Sequence, residues 1–179
     1  MRTLIVSLIL SVVAATAVAV AQQPATPPTP PPTMLFSSAA DVQALIAKSK
    51  AERKPDQGIF SSRVLSLAPY NVNLEYRGIV APVSIHDRET EIFYIVEGTA
   101  TMITGGKVVG ETRTNPTNST GTSIEGGDVR TVSKGDYIIV PQGVPHWFSP
   151  IGGNGVLVDI SIHLPRPVPS FADMEKLVP

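Results

Sequence analysis

Between Ser61 and His163 the chain keeps no helical period for long, and this limits its fold more than any other feature. Val72, Leu74 and Tyr76 alternate with Asn71, Asn73, Glu75 and Arg77. Short apolar runs follow at Val80–Ile85, Ile92–Val96, Thr99–Thr104, Val129–Val132, Tyr137–Val140, Pro145–Phe148 and Val156–Ile162. Gly and Pro cut between them, from a total of 14 and 17. A two-residue period places alternate side chains on opposite faces of a strand. Many short strands with Gly- and Pro-rich turns predict an all-β sandwich or barrel. No internal repeat is visible, so one domain is expected.

One segment departs from this pattern ahead of the strands. Ser38 can cap a helix, with Asp41 three residues on, and Val42, Leu45 and Ile46 form its apolar stripe. Lys48, Lys50, Arg53 and Lys54 suit its C-terminal end, and Pro55 stops it. A single helix packed outside the barrel is expected. Thr112–Glu125 is rich in Asn, Ser, Thr and Gly, and reads as a long loop. The Gly105-Gly106 pair reads as a hairpin turn that returns through Lys107–Val109.

Residues 4–21 carry no charge and end in the small-x-small pattern Ala19-Val20-Ala21. They read as an export signal cleaved after Ala21, giving a periplasmic or secreted protein. The alternative is an uncleaved N-terminal membrane anchor; after cleavage no stable membrane insertion is expected. Pro24, Pro27, Pro28, Pro30, Pro31 and Pro32 then make an extended spacer. The expected organisation is a signal at 1–21, a spacer at 22–35, a helix and linker at 36–60, a barrel at 61–165 and a tail at 166–179.

Lys and Arg total 14 against 15 Asp and Glu, a net charge of −1. No strong field favours nucleic acid. Without Cys, thiolate chemistry and Cys-ligated metals are excluded. No phosphate-cradling glycine pattern precedes a helix, and no Ser sits in a strand-turn-helix elbow. The His residues are His86, His146 and His163. His86 closes one strand and Glu91 opens the next, so in a hairpin they can lie side by side. His146 follows a stiff Pro-Gln-Gly-Val-Pro connection. Two His and one carboxylate converging from three strands would make a metal site with open coordination positions.

Gly135, Pro141, Gly143 and His146 match the second motif of the cupin superfamily, G-x5-P-x-G-x2-H, with Pro150 in place of its final Asn. His86, Glu91 and Gly98 match the first motif from its second His onward, and Ser84 stands where its first His is expected. In both segments the chain resembles a small single-domain cupin. The resemblance implies a jelly-roll β-barrel, frequent pairing into homodimers, and a divalent metal (Fe, Mn, Ni, Zn or Cu) held by His86, Glu91 and His146. A Ser hydroxyl is a poor ligand for such metals, so Ser84 weakens the set.

Glu91 is also the candidate catalytic group, as a proton carrier. Phe93 and Ile95 share parity with Glu91, and Phe148 with His146, so they are expected to wall a substrate pocket that Ser84 and Tyr76 border. Arg77 is a weaker pocket candidate. Trp147 is expected to point the other way. Asp159, Ser161 and His163 share one face, expected to look toward solvent, with the cavity as the alternative. Glu89 and Glu97 are expected to be solvated. The sequence is thus read as an exported cupin-domain protein that binds a divalent metal, with metal-dependent catalysis on a small organic substrate left open. The alternative is a metal-free binding module for a sugar-like or carboxylate ligand.

Overall fold

A computed structural model describes residues 33–153 and 155–166. The expected signal and most of the spacer and tail lie outside the described residues. The helix α1 spans Ala39–Glu52. Ser38 caps it: its hydroxyl accepts from the Asp41 amide, and the Asp41 carboxylate accepts in return from the Ser38 amide at 2.8 Å.

The strands are β1 (Ile59–Leu67), β2 (Tyr70–Arg77), β3 (Val83–His86), β4 (Glu89–Thr104), β5 (Lys107–Val109) and β6 (Thr112–Asn115). They continue with β7 (Asn118–Gly121), β8 (Ser123–Glu125), β9 (Asp128–Ser133), β10 (Tyr137–Val140), β11 (His146–Ile151) and β12 (Leu157–Pro165). All the ladders are antiparallel. One sheet runs β1-β2-β12-β4, with β10 on the other side of the first half of β4. The second half of β4 enters the facing sheet between β9 and β11, and that sheet continues through β3 and β7 to β6. Two sheets joined through one long bent strand are a jelly-roll barrel, with a single helix outside among the described residues, as expected.

Two cores follow from the parity of the strands. Phe93, Ile95, Ala100, Met102, Val132, Ile138, Val140, Phe148 and Leu157 fill the space between the sheets. On the outside of the first sheet, Val64, Leu74, Tyr76 and Val158 pack against Ile46 of α1. The apolar set of β2 therefore faces the helix, and its polar set faces into the barrel. Gly98 is where β4 crosses between sheets. Its φ is +87°, and a Cβ there would lie 2.1 Å from the Val156 carbonyl oxygen, so only glycine fits.

Two local expectations are corrected. The segment 112–125 is not a loop but the strands β6, β7 and β8, with the β6–β7 turn at Pro116-Thr117. All of β6 is exposed, so it carries no apolar alternation to betray it. The Gly105-Gly106 turn does not fold Lys107–Val109 back on β4; β5 pairs with β8 instead.

Candidate metal centre

His86, Glu91 and His146 come together inside the barrel by a different route from the expected hairpin. The strand β3 pairs with β7 and β11 and not with β4. The turn at Asp87-Arg88 carries the chain from one sheet to the other, so His86 and Glu91 face each other across the interior. His146 is the cross-strand partner of Ser84, in the same sheet as His86. The loop before it is fixed by the Gly143 amide, which donates to the His86 carbonyl at 2.7 Å; Gly143 holds a φ of +73°.

Glu91 Oε2 lies 3.4 Å from His86 Nε2 and 3.2 Å from His146 Nε2. One donor atom from each of the three residues falls within 4.8 Å of the other two. Glu91 and His146 are buried, at 3% and 5% exposure, whereas His86 is half-buried. Asn118 Oδ1 lies 3.0 Å from His86 Nδ1 and can accept its hydrogen. In that tautomer the Nε2 lone pair points at the carboxylate. His146 Nδ1 approaches the Val144 carbonyl at 3.5 Å.

Burial opposes ionisation of Glu91. The nearby His146 first, then the charge of His163 and the Ser161 hydroxyl, outweigh it and bring its pKa down to about 2. Glu91 Oε2 is nonetheless buried without a hydrogen-bond partner. An ionised, orphaned carboxylate oxygen beside two imidazole nitrogens is a donor set that a divalent cation satisfies. The residues present therefore fit a metal.

The polar row of β12 points inward, against the expectation of a solvent-facing face. Asp159 and Ser161 are wholly buried. His163 pairs in register with Glu91, and its Nε2 lies 3.3 Å from Glu91 Oε1. Alternation gives the period of a strand but not which face is covered. Here α1 covers the apolar faces of β2 and β12, which turns their polar faces inward. Glu89 is not a free surface charge either, since its Oε2 lies 2.9 Å from His163 Nδ1. Glu97, by contrast, is half-exposed and meets Lys50 at 3.4 Å.

Arg77 joins this polar interior. Its Nε donates to Asp159 at 2.8 Å, and its second amino group bonds Glu75. The guanidinium lies 4.6 Å over the Phe148 ring. Burial disfavours the Arg77 charge, but Asp159 and Glu75 hold it firmly protonated. Burial also raises the Asp159 pKa, against the opposing pull of Arg77.

Tyr76 does not border the site. It packs under α1 with Arg53 over its ring, on the face opposite Arg77. Phe93, Ile95 and Phe148 point inward as expected, but they are close-packed: Phe93 and Phe148 meet edge-on at 5.2 Å between centroids. A narrow crevice lined by Arg77, Ala81, Pro82, Ser84, His146, Trp147, Phe148 and Ile151 runs beside His146. Trp147 turns away and donates to the Ala81 carbonyl at 2.8 Å. Sequence reasoning missed Asn118 and the bond from the Ser161 hydroxyl to Glu91, and held Arg77 only as a weaker pocket candidate. Asn118 lies within the segment that the sequence reads as a loop. Nothing local marks it as the partner of a His thirty-two positions earlier.

Residues 61–169 match the family model described as Cupin. The chain belongs to the cupin family. Comparison with curated proteins finds no match. Among solved structures, this cupin is similar to BH2720 from Bacillus halodurans, with 17% identity and a TM-score of 0.48 over 75% of this chain and 83% of that one. It is also similar to KdgF from a Halomonas species, with 17% identity and a TM-score of 0.44 over 64% and 87% of the two chains. A third likeness is to the iron(II) form of HppE, with 16% identity and a TM-score of 0.46 over 63% of this chain. The chain spans 53% of the length of HppE.

Proposed function

We propose that this cupin binds a divalent metal through His86, Glu91 and His146, and acts as a metal-dependent enzyme on a small organic substrate. The observation that carries the reading is Glu91 Oε2, buried, without a hydrogen bond and facing two imidazole nitrogens. A metal bound there would supply Lewis-acid character and open coordination positions to a substrate oxygen. The chain itself supplies orientation and exclusion of water. Asn118 sets the His86 ring, the Gly143 amide ties the His146 loop to β3, and Phe93 closes the floor against His146 at 5.6 Å. Ser84 leaves room beside His146, at the crevice, where a larger residue would stand. Glu91 Oε1 is the oxygen through which the site exchanges hydrogen bonds with the protein. The close packing of Phe93 on Phe148 argues against a metal-free module that seats an apolar ligand between those rings.

The test is elemental analysis of protein purified without an affinity metal, followed by thermal shifts with manganese, iron, nickel, zinc and copper. Bound metal in the wild type, and its loss in His146→Ala, are expected. No metal and no shift from any ion would overturn the reading in favour of a metal-free module. Export after cleavage at Ala21 and pairing into homodimers belong to the same proposal. Tyr137 and Ile139 on β10, at 73% and 63% exposure, offer apolar surface for such pairing.

A further inference from the structure

We infer that His163 is a positioning residue for Glu91: it secures one carboxylate oxygen from behind, so that Glu91 meets the metal through the other oxygen alone. This rests on the proposal that the trio holds a metal. The two oxygens of Glu91 stand in opposite situations. Oε1 accepts a hydrogen bond from the Ser161 hydroxyl and has His163 Nε2 at 3.3 Å. Oε2 has no hydrogen bond and faces His86 and His146. A carboxylate with one oxygen taken by the protein offers only the second to a cation, which fixes its direction of approach.

The register of β12 on β4 makes this arrangement structural rather than incidental. His163 is the direct partner of Glu91, and Ser161 lies two residues away on the same inward face. The Ser161 hydroxyl also lies 3.0 Å from His163 Nε2, so the three groups close a compact triangle. Glu89, two residues before Glu91 on the same face of β4, holds the far side of the ring through Nδ1 at 2.9 Å. The ring is thus held between two carboxylates, and its Nε2 faces the oxygen that the metal does not use. His163 is not one of the residues whose donor atoms fall within 4.8 Å of each other. It stands behind the ligand set and not within it. Ser84 makes this support matter more, because a set short of one His depends more on the aim of the ligands it keeps.

The experiment compares wild type, His163→Ala, His163→Gln and Glu89→Gln, each checked for folding by circular dichroism. Co(II) affinity is read by calorimetry, and the nitrogen count of the Cu(II) form by electron paramagnetic resonance. Wild type is expected to show two coordinating nitrogens, from His86 and His146. His163→Ala should keep that count while Co(II) affinity falls about 10- to 100-fold. His163→Gln, which returns an N–H near the Nε2 position, should recover most of the loss. Three nitrogens in wild type, reduced to two in His163→Ala, would make His163 a ligand and overturn the inference. Unchanged Co(II) affinity in a folded His163→Ala would overturn it too. Should His163→Ala not fold, Glu89→Gln decides: weaker Co(II) binding supports the inference, and unchanged binding defeats it. A wild type that takes up no Co(II) would instead defeat the metal reading itself.

Discussion

Glu91 is held ionised at a depth where burial alone would favour its neutral form. Its folded pKa of about 2 lies below the ordinary value of 4.5. A depressed pKa contributes stability that is complete above the unfolded value and is lost as pH falls through the folded one. Metal-free protein should therefore lose stability on acidification from about 4.5 toward 2, and Glu91→Gln should flatten that limb. Urea midpoints measured across this range check it, and equally steep limbs in both proteins would contradict it. Arg77 carries a second prediction. Replacing it with Met leaves half-buried Glu75 and buried Asp159 without their cation, at a cost of about 3–5 kcal/mol. Urea denaturation at neutral pH reads that cost, and a loss under about 1 kcal/mol would show the cluster to be dispensable. Of these residues, His86, Glu91 and His146 were legible because motif spacing fixes them along the chain. Arg77, Asp159 and His163 were legible only as weaker or alternative pocket residues, because their roles depend on which face of a strand the helix covers.

At the scale of elements, α1 does more than decorate the barrel. Ile46 packs against Leu74, Tyr76 and Val158, and so fixes the direction in which β2 and β12 point their polar sides. Its capping box was readable from Ser38 and Asp41 alone, since that contact spans three residues. Ser38→Ala should destabilise the protein by about 1 kcal/mol, seen as a lower urea midpoint. If α1 orients the polar faces, a cavity at Ile46 should also reach the site. Ile46→Ala is expected to cost about 2–5 kcal/mol in stability, and to weaken metal binding although Ile46 touches no ligand. Unaltered metal affinity in a folded Ile46→Ala would show that the sheet holds its orientation without the helix. The strands β6 to β8 escaped the sequence reading for a related reason. β6 is exposed throughout and β7 buries only Ser119 and Gly121, so neither shows apolar alternation and their hydrogen-bonding residues look the same as a loop.

For the whole molecule, the barrel class was legible because period two and frequent turns exclude other architectures. The order of the strands was not, since β3 and the Glu91 half of β4 are neighbours in sequence yet lie in facing sheets. Export makes its own prediction at this scale: the protein recovered outside the cytoplasm should begin at Gln22, as read by intact-mass spectrometry, and a mass retaining residues 1–21 would indicate an anchor instead. The long strand β4 has a further consequence. It carries Glu91 in one sheet and, past Gly98, lies beside the His146 strand in the other. The two halves of the barrel are therefore laced by a single thread, and cannot part like the valves of a shell without pulling that thread out. Release of a bound ion and collapse of the barrel should then coincide in one heating transition, with no ion-free intermediate that still holds its shape.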